Sequence, residues 1–417
     1  MVKPGYKQTE IGVIPEDWEI KYLPYFGDVL SGGTPSTSVS DYWNGDIAWC
    51  TPSDITATSG TAIKKTEKTI TELGLAKSAA ILLPPGSLLL CTRATIGDSK
   101  INSVPMATNQ GFKNVIPKNS DVYFLYYLLQ TKKKEMFEKA IGSTFLEISK
   151  SALCSIPLQY PTLPEQHRIA ETLTDMDELI DSLEKLIAKK KAIKQAAMQE
   201  LLTGKRRLPR FTGEWKKRKL STYCSLITKQ TGFDYSAYIK PALIKEHLPG
   251  TLPMIQTINF RGKRISFDTD YYIPKSVASQ FPNIILDSKC VLFSIVGASV
   301  GNLGLYPGGI SFCGGAIGIT RFYNEQDADW VFYYMSSPEG QSQIDFVTKG
   351  GAQATVTIAD IRNFIIPTPE KEEREAIVTI LAEMDTEIQA IEKKLEKARQ
   401  VKQGMMQQLL TGKIRLV

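Results

Sequence analysis

One long segment of this 417-residue chain occurs twice, and that repeat restricts the folds open to it. Residues 148–209 align without a gap on residues 356–417, at a constant offset of 208. The matched pairs include Leu173/Leu381, Met176/Met384, Asp177/Asp385, Glu184/Glu392 and Gln195/Gln403. The run Leu201-Leu202-Thr203-Gly204-Lys205 returns as Leu409-Leu410-Thr411-Gly412-Lys413. Two copies of one element predict a pseudo-twofold architecture, which suits a partner with a twofold repeat of its own. Duplex DNA is the first such partner to consider.

Each copy has the period of a long helix. In the second, Ile377, Leu381, Met384, Ile388, Ile391, Leu395, Ala398, Lys402, Met405 and Leu409 recur at alternating spacings of four and three, a heptad seam broken at Lys402. The first gives Ile169, Leu173, Met176, Ile180, Leu183, Ile187, Lys190, Lys194, Ala197 and Leu201, and its break at Lys194 is the counterpart of Lys402. Pro164 and Pro369 stand near the starts, and Gly204 and Gly412 follow as C-cap signals. One such stripe reads as an ordinary core-facing helix. Two of equal length predict an intramolecular antiparallel pair, each helix ~57 Å long at ~1.5 Å per residue.

The remaining blocks, roughly 1–150 and 210–355, carry short apolar runs punctuated by Gly, Pro, Asn and Ser, which read as strands and turns. Each ends in an expected helix, at 122–139 and 328–346, and each opens alike, with Glu16-Asp17-Trp18 against Gly213-Glu214-Trp215. The expected fold is α+β: two mixed α/β blocks separated by two long helices that form a pseudo-twofold antiparallel coiled coil. The expected boundaries are 1–160, 161–208, 209–368 and 369–417.

Composition excludes several functions. No apolar run reaches the ~20 residues of a membrane span, so no membrane role is expected. The start Met1-Val2-Lys3-Pro4 does not read as a signal peptide. Six scattered cysteines with no C-x-x-C pair argue against zinc and disulfides and for a reducing cytoplasm. Phosphate-loop, dinucleotide-binding and amino-methyltransferase motifs are absent, and neither His167 nor His247 has a catalytic neighbourhood. No catalytic or metal site is expected in this chain.

Charge is unevenly spread. Lys185, Lys189, Lys190, Lys191, Lys194, Lys205, Arg206, Arg207, Arg210 and Lys216-Lys217-Arg218-Lys219 face only Glu200 and Glu214 around the end of the first long helix. Such a run is ordinarily a solvated face. Here it joins helix to block, where a duplex would need phosphate contacts. Arg93, Asn109 and Gln110 lie in turn-like segments of the first block, and their planar side chains fit guanine and adenine edges.

These residues resemble a known family over essentially the whole chain. Ser31-Gly32-Gly33-Thr34-Pro35-Ser36, Tyr42-Trp43, Thr51-Pro52-Ser53-Asp54, Pro84-Pro85-Gly86, Thr92-Arg93-Ala94-Thr95-Ile96-Gly97 and Thr108-Asn109-Gln110-Gly111-Phe112 follow in order. Together with Pro164-Glu165-Gln166 and the two Leu-Leu-Thr-Gly-Lys ends, they resemble the specificity (S) subunits of type I restriction–modification systems. The second block departs, with Thr228-Lys229-Gln230-Thr231-Gly232 and Gly297-Ala298-Ser299-Val300-Gly301 in the matching places.

The resemblance implies a non-catalytic subunit with two target recognition domains, each reading one half of a split double-stranded DNA sequence. Paired spacer helices would set the gap and dock two methylation (M) subunits, and restriction (R) subunits would join that core. S-adenosylmethionine, ATP and Mg2+ would then belong to partner subunits. Candidate DNA contacts are Thr34, Ser36, Arg93, Asn109, Gln110 and Lys113 in the first block, and Lys205, Arg206 and Arg207 at the junction. In the second block they are Lys229, Gln230, Arg261, Lys263 and Arg264. Helix pairing and docking fall to Leu173, Met176, Ile180, Leu183, Ile187, Leu381, Met384, Ile388, Ile391 and Leu395. A competing reading is a coiled-coil adaptor with two protein- or sugar-binding blocks and no DNA contact. A third is a DNA reader serving a fused nuclease–methylase.

Overall fold

The structure is a computed structural model, and it describes residues 3–142, 146–348 and 354–416. The chain divides into two compact units, and the division falls within the two long helices. Unit 1 comprises Met1–Leu186 with Ile391–Val417, and unit 2 comprises Ile187–Ala390. Each unit therefore holds one block, half of one long helix and the opposite half of the other.

Both repeats form uninterrupted helices of 39 residues, Leu163–Leu201 and Lys371–Leu409, each ~58 Å long at ~1.5 Å per residue. Gly204 and Gly412 end them in the left-handed region, at φ +73° and +71°, where only glycine carries no steric penalty. In unit 1 the two helix halves run antiparallel: Glu165, Asp177 and Glu184, in rising order, meet Arg415, Lys402 and Arg399 in falling order. In unit 2, Lys190, Lys194 and Arg207 meet Glu387, Asp385 and Glu373 in the same sense.

The apolar stripe is buried where it faces its block. Ile169 and Leu173 join Leu409 and Leu410 in the unit 1 core, and Ile377 and Leu381 join Met198, Leu201 and Leu202 in the unit 2 core. Ile187, Ile388, Ile391 and Leu395 are buried as well, while Met176, Ile180, Leu183 and Met384 are half-buried. Burial of one apolar face, rather than helix propensity, holds such an element in place.

The block of unit 1 is built on a five-stranded sheet in the order Gly27–Ser31, Phe112–Pro117, Leu88–Cys91, Ser99–Asn102, Ala62–Ile63. A three-stranded sheet of Met106–Thr108, Trp43–Cys50 and Lys68–Ile70 accompanies it. Leu88–Cys91 is buried at every position, so its sequence lacks the alternation of a half-exposed strand. Unit 2 repeats the plan: Cys224–Lys229, Ile317–Phe322, Cys290–Ser294 and Leu303–Tyr306 form one sheet. Tyr272–Pro274, Thr251–Ile255, Ser311–Cys313 and Ile285–Leu286 form the other. The sheet scaffold has diverged less than the sequence of the blocks suggests.

Each block closes in two helices where one was expected. Val122–Thr131 and Lys133–Glu138 occupy the first segment, and Asp327–Met335 and Pro338–Val347 the second. In unit 2 the cause is local: Ser337 accepts from Gly340 N as an N-cap and Pro338 fills the first helical position.

Candidate nucleic-acid interface

Each unit carries the same buried clamp where a long helix begins. In unit 1, Arg415 reaches Glu165 through Nε–Oε1 at 2.7 Å and Nη2–Oε2 at 2.9 Å, and Trp18 Nε1 donates to Oε2 at 2.9 Å. In unit 2, Arg207 holds Glu373 at 2.7 and 2.8 Å, and Trp215 Nε1 donates at 3.0 Å. The two carboxylates are almost wholly buried, at 1% and 0% exposure. Burial of that kind is tolerated only when the charge is paired and hydrogen-bonded. Arg207, expected among the DNA contacts, is therefore committed to the clamp.

A second repeated constellation fills the breaks in the heptad seams. Lys402 Nζ lies 2.5 Å from Asp177 Oδ1 and 5.2 Å from the centroid of the Tyr127 ring, while Tyr127 donates its hydroxyl to Asp177 Oδ2 at 2.7 Å. In unit 2, Lys194 Nζ lies 2.5 Å from Asp385 Oδ1, and Tyr333 donates to Asp385 Oδ2 at 2.8 Å. Burial, then the neighbouring carboxylate, push both phenols far above their ordinary range. The polar breaks are cross-helix ion pairs that the block secures through one tyrosine.

These fixed parts carry two loop systems. In unit 1 the 32–36 loop is pinned by two tryptophans: Trp49 Nε1 donates to Gly33 O at 2.9 Å and Trp43 Nε1 to Ser36 O at 3.1 Å. A Cβ at Gly33 would lie 2.2 Å from the backbone of Ala79, so no larger residue fits there. Thr34 and Ser36 are exposed, and the Thr34 hydroxyl bonds Gln110 Oε1 across to the 108–111 loop. Asn109 Oδ1 accepts from Gly111 N at 2.9 Å, a turn that leaves Gln110 exposed. Thr92 N donates to Gly111 O at 2.8 Å, and Ala94 takes φ +63° in the following turn, so half-buried Arg93 belongs to the same loop cluster. Thr34, Arg93, Asn109 and Gln110 thus share one rim. Lys113 does not: it lies within the five-stranded sheet at 8% exposure, and a phosphate contact would require its ammonium to leave a buried position.

Strand register aligns the corresponding rim of unit 2. Ser31 pairs with Lys113 and Lys229 with Gly318, so Gln230 occupies the place of Gly32, and Gly315 that of Gln110. The glutamine has moved from one loop to the other. Gln230 is turned inward at 7% exposure, with neither amide atom bonded to another described residue, and Lys229 is exposed. The isolated bridges Arg93–Glu147 and Val296–Thr355 place Val296 where unit 1 has Arg93. Gly297, at φ +86°, then repeats the turn at Ala94.

Arg261 and Arg264 face each other on a two-residue hairpin, both exposed. Lys263 between them points inward, donating to Tyr333 Oη at 2.9 Å and lying 3.5 Å from Asp329, and burial lowers its pKa. It fixes the hairpin to the Tyr333–Asp385 pair. Lys205 and Arg206 are exposed, and Arg206 lies 3.4 Å from Glu200. Sequence reasoning missed the Glu165, Glu373, Asp177 and Asp385 centres. Their signal was present, since each acidic residue recurs at the repeat offset together with its basic partner.

Among the described residues no group of His, Cys, Asp and Glu could hold a metal ion, and no helix is long and apolar enough to cross a membrane. A family model described as the type I restriction modification DNA specificity domain matches residues 15–195 and 237–400. The type I restriction enzyme MjaIX specificity subunit of Methanocaldococcus jannaschii is 42% identical over 183 residues, which cover 43% of this chain and 42% of that protein. The MjaVIII specificity subunit of the same organism is 23% identical over 422 residues, covering 97% of this chain and 94% of that one. The crystal structure of a type I system S subunit from M. genitalium superposes with a TM-score of 0.61 at 14% identity, over 98% of each chain. Matched along most of its length, the chain belongs to the type I restriction–modification DNA specificity family.

Proposed function

We propose that this chain is a non-catalytic specificity subunit that reads a bipartite duplex, one half-site per block. The observation that carries the reading is one sheet scaffold built twice with different side chains at matching rim positions. Gly32 and Gln110 in unit 1 correspond to Gln230 and Gly315 in unit 2, and Arg93 to Val296. Clamps and ion pairs are conserved between the units while the rims differ, as expected of two readers with different half-sites. Hydrogen-bonding side chains at such rims discriminate base edges, and exposed lysines and arginines supply sequence-independent attraction.

On this reading two M subunits and the R subunits assemble on the chain in the cytoplasm. S-adenosylmethionine, ATP and Mg2+ serve the chemistry of those partners, and this chain selects where it happens. Titration of the chain, with its co-expressed methylation subunit, into labelled duplexes from 50 to 200 mM salt tests the proposal. The expected result is tighter, salt-dependent binding than the methylation subunit achieves alone. No added duplex affinity would favour the adaptor reading instead.

A further inference from the structure

The frame repeats closely, and one element of it does not. In unit 2 the strand Lys216–Lys219 pairs antiparallel with Ile365–Thr368 in a two-stranded sheet, and its four side chains, Lys-Lys-Arg-Lys, are all exposed. Successive strand residues point to opposite faces, so Lys216 and Arg218 share one face and Lys217 and Lys219 the other, ~6.8 Å apart on each. Among the described residues no carboxylate pairs with them; Lys219 Nζ donates to the neutral Asn363 Oδ1 at 2.9 Å. Like charges at this spacing repel, so the strand gives up local stability for its composition.

The counterpart in unit 1 is Glu19–Tyr22, which pairs with Pro157–Tyr160 in the same way. It reads Glu-Ile-Lys-Tyr, and Lys21 Nζ sits 2.5 Å from Glu19 and 4.5 Å from the centroid of the Tyr25 ring. The contrast extends along the segment. Residues 205–219 hold eight cationic side chains and one carboxylate, whereas their counterparts, 413–417 with 13–22, hold three of each. Trp18 and Trp215, Arg415 and Arg207 lie within these same stretches and are unchanged in role. The positive charge is therefore an addition to unit 2 rather than a property of the frame.

A ligand for this edge is a polyanion with regularly spaced charge. Each strand of a duplex carries one phosphate per ~3.4 Å of axis, so a ~6.8 Å pair of cations spans two. A protein docking on the repeated frame would meet the same chemistry in both units, and unit 1 offers a neutral strand. We propose that Lys216–Lys219 is a sequence-independent phosphate clamp for the duplex held by unit 2, so that the two half-sites are gripped with unequal numbers of backbone contacts. This rests on the DNA-reading function proposed above.

The test compares the chain with a variant carrying Lys216→Gln, Lys217→Gln, Arg218→Gln and Lys219→Gln. Both are assembled with the methylation subunit and titrated with target and non-target duplexes between 50 and 200 mM salt. Each lost phosphate contact lowers the slope of log affinity against log salt by ~0.9, so with the two contacts of one strand face the native assembly should lose ~10-fold more affinity over that range than the variant. The sequence that is methylated should stay the same, which also reports that the variant is folded. An unchanged slope in a variant that still binds overturns the clamp. So does an unchanged slope with loss of a co-purifying protein, which would make the strand an acidic-protein surface. An altered target sequence would show base reading instead. If the native assembly itself shows no salt-dependent binding, the DNA-reading function fails rather than this strand's part in it.

Discussion

At the scale of single residues, the buried carboxylates Glu165 and Glu373 show how a sequence can mislead about a basic side chain. Arg207 lies in the basic run 205–210, and its contacts to Glu373 at 2.7 and 2.8 Å, to Gly213 O at 2.8 Å and to the Trp215 ring separate it from its exposed neighbours Lys205, Arg206 and Arg210. Replacing Arg207 by methionine would leave a carboxylate of 0% exposure without its counter-ion. Breaking a buried pair from one side typically costs about 3–5 kcal/mol. Urea denaturation of Arg207→Met should register a loss of that order, with no change in the salt slope of DNA binding. Lys205→Gln should do the reverse, keeping stability and lowering the slope by ~0.9. A stable Arg207→Met variant with a lower slope would return Arg207 to the phosphate contacts. The same logic covers Lys113, which is 8% exposed, and Lys263, whose ammonium is bonded to Tyr333, since residue type alone reveals neither placement.

At the scale of elements, the long helices are held in register by their least apolar positions. Asp177 and Lys402 leave 21% of each side chain exposed and meet at 2.5 Å, with Tyr127 closing the group. An isolated polar pair in an apolar seam fixes register at some expense of stability, because a shifted helix leaves both charges unpaired. Lys402→Met and Asp177→Leu should each destabilise the protein, and the double variant should recover much of the loss. The expected coupling in a double-mutant cycle is ~0.5–3 kcal/mol, and additive effects would show that the pair does not act as a unit. Much of this level was legible in the sequence. Heptad spacing gave the helices, Gly204 and Gly412 their ends, and the repeat offset matched Lys194 with Lys402. Which carboxylate each lysine meets was not legible, because antiparallel pairing depends on a register that neither helix carries alone. The break of the expected 328–346 helix was legible after all, in Ser337-Pro338, but the apolar period on either side concealed it.

At the scale of the whole molecule, conserved supports and divergent rims imply that the blocks are exchangeable under a condition set by the supports. Arg207 and Glu373 lie outside residues 209–368, but Trp215 and Tyr333, which complete the clamp and the cross-helix pair, lie within that block. A donor block from another family member must therefore supply an indole N–H for Glu373 and a hydroxyl for Asp385. A donor lacking the hydroxyl would leave the Lys194–Asp385 pair short of one hydrogen bond to a charged group, worth ~1.5–3 kcal/mol. With both groups present, exchanging residues 209–368 should replace one half of the methylated sequence by the donor's half and leave the other half unaltered. Sequencing of modified bases in DNA from cells expressing the exchanged chain with its methylation subunit reads this directly. Change in both halves would mean that the blocks do not read independently. An unchanged sequence would place recognition outside the exchanged block, in the repeated frame whose side chains the two units share.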